Sequence, residues 1–475
     1  MALEILNKGR LNPTKAVLAG ILVFAGLTVL SRVFYLERII MPDTAFQLFE
    51  IITRKGLAIQ TNRFGAAATQ AFPLLGVKLG WSLNALLVVY SFAFVAFPLF
   101  LFILLAWGFK NRTMALALGF FTLMLTNHSF YWVQSELLQG CALLLFVFGV
   151  ATAGERMAWW RLILLFPLAA VVIFFHPLTF IPWVFLSGFF LASLPLRRQP
   201  AFWLFCLSGL IWLGVKFILV KTADYDAGAY KLSEGLLAKI PGFFSWRSTR
   251  LFGGYLFSDY YVFLLLFLVL AAIYFRRRQW WKAGLVTLFS LGYIVLINGT
   301  FDWGGVRFHT ESFYQPLGIF VFVPFLYDLA PGWQLKRWFW PAVFALIVVR
   351  LVHIAAISPE YRKRIDWYER LLERTRAYPG TKFAVDQQNV PMGLLQLSWG
   401  SSFETLYLSA RRSPDSTRTV IIYDPNVPMD KFLPQNNAFF QPFGAMPYEW
   451  FRTSPYFHFR DTSHYQVLGP EAMPQ

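Results

Sequence analysis

The chain has 475 residues; 57% are hydrophobic and only 14% charged, with 52 Phe and 18 Trp. Soluble globular domains carry about 25% charged residues, so this composition excludes an ordinary water-soluble protein and calls for a lipid-facing surface. The net charge of +17 is uneven: from Ser358 onward there are 13 Lys+Arg and 12 Asp+Glu, leaving 29 basic and 13 acidic residues before it.

That excess fits cytoplasmic cations and contacts to anionic lipid head groups, not nucleic acid. Cys141 and Cys206 sit in apolar runs and read as small buried hydrophobes, with no disulfide or metal framework.

A spanning helix needs about 17–25 mostly apolar residues. The first candidate, Lys15–Leu36, follows Lys8 and Arg10 and reads as a retained first helix, not a cleaved signal. The segment 37–82 then reads as an outer loop of amphipathic helical pieces, with Phe46, Phe49, Ile52 and then Leu57, Ile59 at helical spacing. Further spans are expected at Leu83–Trp107, Met114–Thr126, Glu136–Gly154, Arg161–Phe175, Pro177–Leu194 and Ala201–Val220. A second apolar outer loop covers 221–258; loops of this kind lie on the membrane or fold over a cavity. Spans at Asp259–Phe275, Trp281–Ile297, Ser312–Leu329 and Phe339–Ile357 complete about 11. The third and fifth are short enough to be hairpin arms that do not fully cross.

One set of connections is cation-rich: Lys110 and Arg112, Arg156 and Arg161, Arg197 and Arg198, Arg276 to Arg278 with Lys282, and Lys336 with Arg337. The short members of the other set carry only Arg307. The positive-inside rule places the first set and the N-terminus in the cytoplasm, and an odd number of spans then puts the C-terminus outside. The tail 358–475 reads as a small α/β extracytoplasmic domain, with an amphipathic helix at Tyr361–Tyr378 and strands at Lys382–Asp386, Thr419–Tyr423 and Tyr465–Leu468.

Charged groups at membrane depth or at span ends are costly, which makes them candidates for function. Ten of the 13 carboxylates before Ser358 fall on the outward side: Glu37, Asp43, Glu50, Glu136, Asp224, Asp226, Glu234, Asp259, Asp302 and Glu311. Asp43 follows Pro42 just after the first span. It can cap the next helix, or it can deprotonate an incoming hydroxyl or amine. Glu50, two turns on, assists it or is a solvated charge. Glu136 opens the fourth span behind Tyr131 and Trp132; it serves the helix dipole or binds a sugar or metal. Arg307, His309, Glu311 and Tyr314 cluster in one late outer stretch. There the forked Arg307 guanidinium suits a lipid phosphate; the alternative is an interfacial arginine snorkelling to head groups. Arg63, Arg247 and Arg250 are further candidates of that kind. His176, in a tight turn before Pro177, is hydrogen-bonded structure or a site histidine. No phosphate-cradling Gly-rich loop, His-x-x-x-His spacing or Ser-His-Asp set is present.

The cytoplasmic N-terminus, the large first outer loop, Asp43 soon after the first span and the outer C-terminal domain together resemble the GT-C superfamily of membrane glycosyltransferases. That group includes protein O-mannosyltransferases and aminoarabinose transferases of lipid A. The resemblance covers residues 1–357 in architecture, while its motif support is Asp43, the loop behind it and the Arg307 cluster. It implies hexosyl or pentosyl transfer from a polyprenyl-phosphate-linked donor to an extracytoplasmic glycan, lipid or protein. Asp43 would be the catalytic carboxylate and Arg307 would contact the donor phosphate, in a bacterial inner membrane. Many members carry two adjacent acids in the first loop, whereas Thr44 follows Asp43 here. Either no divalent metal is needed, or Glu136 or another outer acid completes a metal site, or the protein is a non-catalytic relative. The rival readings are a membrane assembly factor and a lipid or solute transporter; against the latter, no repeat is detectable and the spans are nearly free of mid-depth charges, with Lys216 and Arg350 near span ends.

Overall fold

The structure is a computed structural model that describes residues 11–60, 62–192, 194–219, 235–424, 426, 438–441, 444–447, 451, 454–459 and 464–474. The expected outer acids Asp224, Asp226 and Glu234, with Lys8 and Arg10, lie outside the described residues.

Apolar runs fold as helices because the backbone in lipid must satisfy its own hydrogen bonds. In chain order the principal helices are α1 (Pro13–Val33), α2 (Tyr35–Ile39), α3 (Pro42–Arg54), α4 (Ala67–Lys78) and α5 (Leu83–Ile103). There follow α6 (Arg112–Leu123), α7 (Glu136–Ala151), α8 (Trp159–Phe175), α9 (Phe180–Leu191) and α10 (Pro200–Leu219). The later ones are α11 (Arg247–Ser258), α12 (Tyr261–Arg276), α13 (Trp280–Thr300), α14 (Arg307–Tyr314), α15 (Leu317–Pro324) and α16 (Phe339–Thr375). Eleven apolar segments stand where spans are expected, but not all have the length of a crossing. Among the described residues six helices are long and apolar enough to span, and the α11–α12 pair, bent by 88°, makes a seventh if taken together. The shorter apolar helices include α6, α7 and α8. A helix of 12 residues, such as α6, covers about 18 Å, well short of a bilayer core. The long crossings present Ile218, Leu288 and Val352 outward, each more than 60% exposed, as a lipid-facing surface requires.

The two sets of connections separate to opposite ends of the bundle. At one end the Asn12 backbone N–H donates to Gln334 Oε1, Asn111 bonds Gly149 O and Thr152 Oγ1, and Lys282 pairs with Asp328 at 2.6 Å. Exposed Trp159, Trp160, Trp280, Trp281 and Trp338 gather near these connections, as an interfacial aromatic belt does.

At the other end lies the C-terminal domain, and the chain does not break before it. The expected last span and the expected amphipathic helix are one 37-residue helix, α16, about 55 Å long, that passes through Pro359. Beyond it β1 (Lys382–Asp386) pairs in parallel with both β2 (Thr419–Tyr423) and β5 (Gln466–Leu468), in the order β2-β1-β5. Helix α17 (Ser401–Ala410) lies between β1 and β2 in sequence. An antiparallel pair, β3 (Ala438–Gln441) and β4 (Gly444–Pro447), was not expected from the sequence.

The first outer loop folds as helical pieces, α2 to α4 with a 3-10 turn at Phe64–Ala66, as its periodicity predicts. Its apolar face, however, meets protein and not lipid. Phe49 packs on Phe403, Phe439, Phe451 and Phe457, and Phe46 on Trp399 and Phe403. Helix α3 therefore joins the helical bundle to the C-terminal domain in one shared apolar core.

Candidate functional site beneath the C-terminal domain

The connection Thr126–Ser135, between α6 and α7, is buried throughout. A buried loop must find partners for its own polar groups, and the bundle supplies them from all sides. Glu311, itself 1% exposed, accepts from the backbone N–H groups of Asn127, His128 and Ser129 at 2.6, 3.2 and 2.9 Å, and from Ser129 Oγ at 2.7 Å. Arg350 donates to Thr126 O and Asn127 Oδ1, and also to Asp259 O. Arg38 donates to Phe130 O and lies over the Phe130 ring, while its Nε reaches Ser91 Oγ at 2.9 Å. His128 Nδ1 is 3.1 Å from the Tyr361 hydroxyl, and Trp132 stacks on Phe308 at 4.6 Å.

At one end of this loop stands Asp43. Proline is favoured at the first helical position because it lacks an N–H and its φ is preset; Pro42 takes that place, so Asp43 lies one residue inside α3 and makes no capping bond. The capping expectation fails for that reason. Asp43 is half-buried and has no hydrogen-bond or ion-pair partner among the described residues. Burial, and next the negative charge of Glu136, push its carboxyl up to about 7; Arg63 opposes this and Glu404 adds to it. Glu136 is held beside Asp43 by Arg63 Nη1 at 2.9 Å and by Gln134 Nε2 at 3.2 Å. Behind them Gln47 Oε1 accepts from Gln70 and from the Tyr90 hydroxyl. Glu50, the expected solvated charge, is instead 5% exposed and paired with Arg54.

At the other end of the loop is a second cluster, at the α11–α12 bend. Arg307 Nη2 meets Asp259 Oδ2 at 2.5 Å and lies over the Tyr255 ring. His353 Nε2 is 3.7 Å from Asp259 Oδ1, and its Nδ1 is 3.1 Å from Arg350. Asp259 is buried, while Arg307 and His353 keep 36% and 28% side-chain exposure, so the edge of this cluster that carries the Arg307 guanidinium and the His353 ring is the open one.

The structure thus brings Asp43, Arg63 and Glu136 together and places Arg307 in the neighbouring cluster. His309 faces Trp132 and Phe301 and lies within electrostatic reach of His176. His176 Nδ1 accepts the Leu178 N–H, the hydrogen-bonded role. Among the described residues the side-chain hydrogen bonds of Glu311 go to the loop, and the Tyr314 hydroxyl donates to Asn298 Oδ1 at 2.5 Å. Arg247 and Arg250 are exposed on α11. Sequence reading missed Arg38, His128, His353, Arg364 and Glu404; Arg350, a charge inside an apolar run, carried a legible signal. Among the described residues no three His, Cys, Asp or Glu side chains converge as a metal site. Glu136 and Glu404, the acids nearest Asp43 in charge, are each already neutralised by an arginine, so this acid set does not fit a divalent cation. In comparisons with known proteins, no protein-family model, curated protein or solved structure matches the chain.

Proposed function

We propose that the protein is a membrane glycosyltransferase that moves a sugar from a polyprenyl-phosphate-linked donor to an extracytoplasmic glycan, lipid or protein. The observation that carries this reading is Asp43: an unpartnered carboxyl at the junction of the helical bundle and the C-terminal domain, half-buried, and raised to about 7. A general base works best when its pKa lies near the working pH. Asp43 takes the proton of the acceptor hydroxyl or amine as that atom attacks the anomeric carbon. The bond from that carbon to the phosphate oxygen breaks, and polyprenyl phosphate leaves as an anion. The open edge formed by Arg307 and His353 stabilises the charge that develops on it. The cation-rich connections support an N-terminus in the cytoplasm and a C-terminal domain outside, and this reading sets the protein in a bacterial inner membrane.

Transfer from a native lipid donor, measured in proteoliposomes, tests this reading. Asp43→Asn abolishes transfer if Asp43 is the base, and full activity in that variant overturns the assignment. One observation favours a second reading, a non-catalytic assembly factor: Asp259 already neutralises Arg307, at the opposite end of the loop from Asp43. Binding of the donor lipid without turnover by the wild type would select that reading. A lipid or solute transporter has less support, since the buried charges at this end are tied to the loop and to one another.

A further inference from the structure

The segment that carries Asp43 is gripped from the C-terminal domain. Arg364, 3% exposed on the distal half of α16, donates from Nη1 to the Ile40 carbonyl at 2.8 Å, three residues before Asp43. The same guanidinium donates to Leu395 O and Leu397 O, and it is ion-paired with the fully buried Glu404 of α17 at 2.5 Å. The Tyr368 hydroxyl donates to the second Glu404 oxygen at 3.1 Å. One residue before α17, Gly400 touches the turn itself: a Cβ there would stand 2.5 Å from Pro42 Cα, closer than side-chain carbons approach backbone. The Gly400 backbone has an ordinary negative φ, so glycine is needed there for close approach and not for conformation. Phe46 and Phe49, on the same helix as Asp43, insert among Trp399, Phe403 and Phe439.

We propose that the C-terminal domain positions the Asp43 carboxyl: Arg364, oriented by Glu404, holds the chain at Ile40, and Gly400 seats Pro42, so that Asp43 keeps its half-buried setting only while that domain is docked. Arg364, Glu404 and Gly400 are positioning residues, and none of them contacts the reacting atoms. The inference deepens the reading of Asp43 as the base, but its geometry stands without that reading. The charged groups that face Asp43 are Glu136 and Arg63 from the bundle and Glu404 from the C-terminal domain. Glu404 therefore acts on Asp43 by charge as well as by holding Arg364.

The test reads Asp43 directly, on the full-length protein in lipid nanodiscs. A water-soluble carbodiimide with glycine ethyl ester labels protonated carboxyls, and peptide mass spectrometry gives the extent of labelling at Asp43 against pH. The wild type should titrate near 7. Glu404→Gln removes a neighbouring negative charge and leaves Arg364 uncompensated, both of which favour the Asp43 anion. The midpoint should fall by about one pH unit. Gly400→Ala should change the labelling rate several-fold at a fixed pH, whereas Gly393→Ala, whose added carbon meets open space, should leave both quantities unchanged. If Gly400→Ala does not fold, Glu404→Gln decides alone. A wild-type midpoint in folded Glu404→Gln, or a wild-type rate in folded Gly400→Ala, overturns the proposal. If Asp43→Asn keeps transfer activity while these labelling shifts occur, the positioning stands and the catalytic assignment falls.

Discussion

Replacing Asp43 by Asn should stabilise the protein at alkaline pH while removing the proposed activity. An ordinary aspartate titrates at 3.8, and burial with the Glu136 charge raises Asp43 to about 7. Between those values the unfolded chain has lost this proton and the folded one still holds it. Raising the pH therefore favours unfolding across that window, and the loss is complete once Asp43 ionises in the folded state. Each pH unit is worth about 1.4 kcal/mol, so the window amounts to about 4 kcal/mol as a ceiling. Asp43 keeps partial contact with solvent, which screens part of this, and about 2 kcal/mol or more should survive. Asn carries no charge at any pH and so escapes the penalty. Thermal unfolding of both proteins in the same detergent, followed from acid to alkaline pH, should show curves that coincide below about pH 4 and separate through neutrality, with Asn the more stable. A variant no more stable than wild type at alkaline pH, or one displaced equally at every pH, would refute a carboxyl held protonated by its surroundings.

The other predictions concern its neighbours and the loop. Glu136→Gln should lower the Asp43 midpoint and Arg63→Gln should raise it, because the two charges act on Asp43 with opposite signs; the same carbodiimide titration reads both. Glu311→Gln exchanges an acceptor oxygen for an amide that faces the N–H donors of residues 127–129, and should cost about 2–3 kcal/mol in unfolding experiments. Gly65→Ala places a carbon 2.2 Å from the Phe175 ring, next to the Arg63–Glu136 pair. Overpacking of that kind costs about 1–3 kcal/mol, seen as a lower unfolding temperature.

The helices were legible because hydropathy is a local property of the sequence. Their status as crossings was less so: α6 and α9 end after 12 residues each, where the apolar run continues into turns. The amphipathic face of α3 was also legible, but an apolar face does not say what covers it. Phe46 and Phe49 are as suitable for lipid as for the aromatic core of the C-terminal domain. Asp43 could be singled out because an acid just after a first span is rare by position. Its surroundings could not, because Arg63 and Glu136 are 73 residues apart and Arg364 and Glu404 are 40 apart, with no local pattern to link them. Asp259 read as the start of a span, since the 88° bend at which it sits comes from how α11 and α12 pack. The tail's Arg364 read as one charge on an amphipathic helix, with nothing to distinguish it from exposed Arg362 or Lys363.

The charge pattern itself takes on a second meaning in three dimensions. The positive-inside rule counts cations in short exposed loops, and by that count the end carrying Asp43 is poor in them. Inside the protein the same end holds Arg38, Arg63, Arg307, Arg350 and Arg364. Arg38 and Arg350 are 2% and 0% exposed and bind backbone carbonyls and neutral side chains. Arg63, Arg307 and Arg364 each face a carboxylate. Buried charges persist only with such partners, so these arginines are committed to holding the Thr126–Ser135 loop, the bend and the domain junction. Arg63, Glu136 and Glu404, members of these pairs, act on Asp43 by charge, and Asp43 pairs with none of them. An acid left out of so complete a network is not explained by the network's stability, and that is the physical reason to look to Asp43 for chemistry.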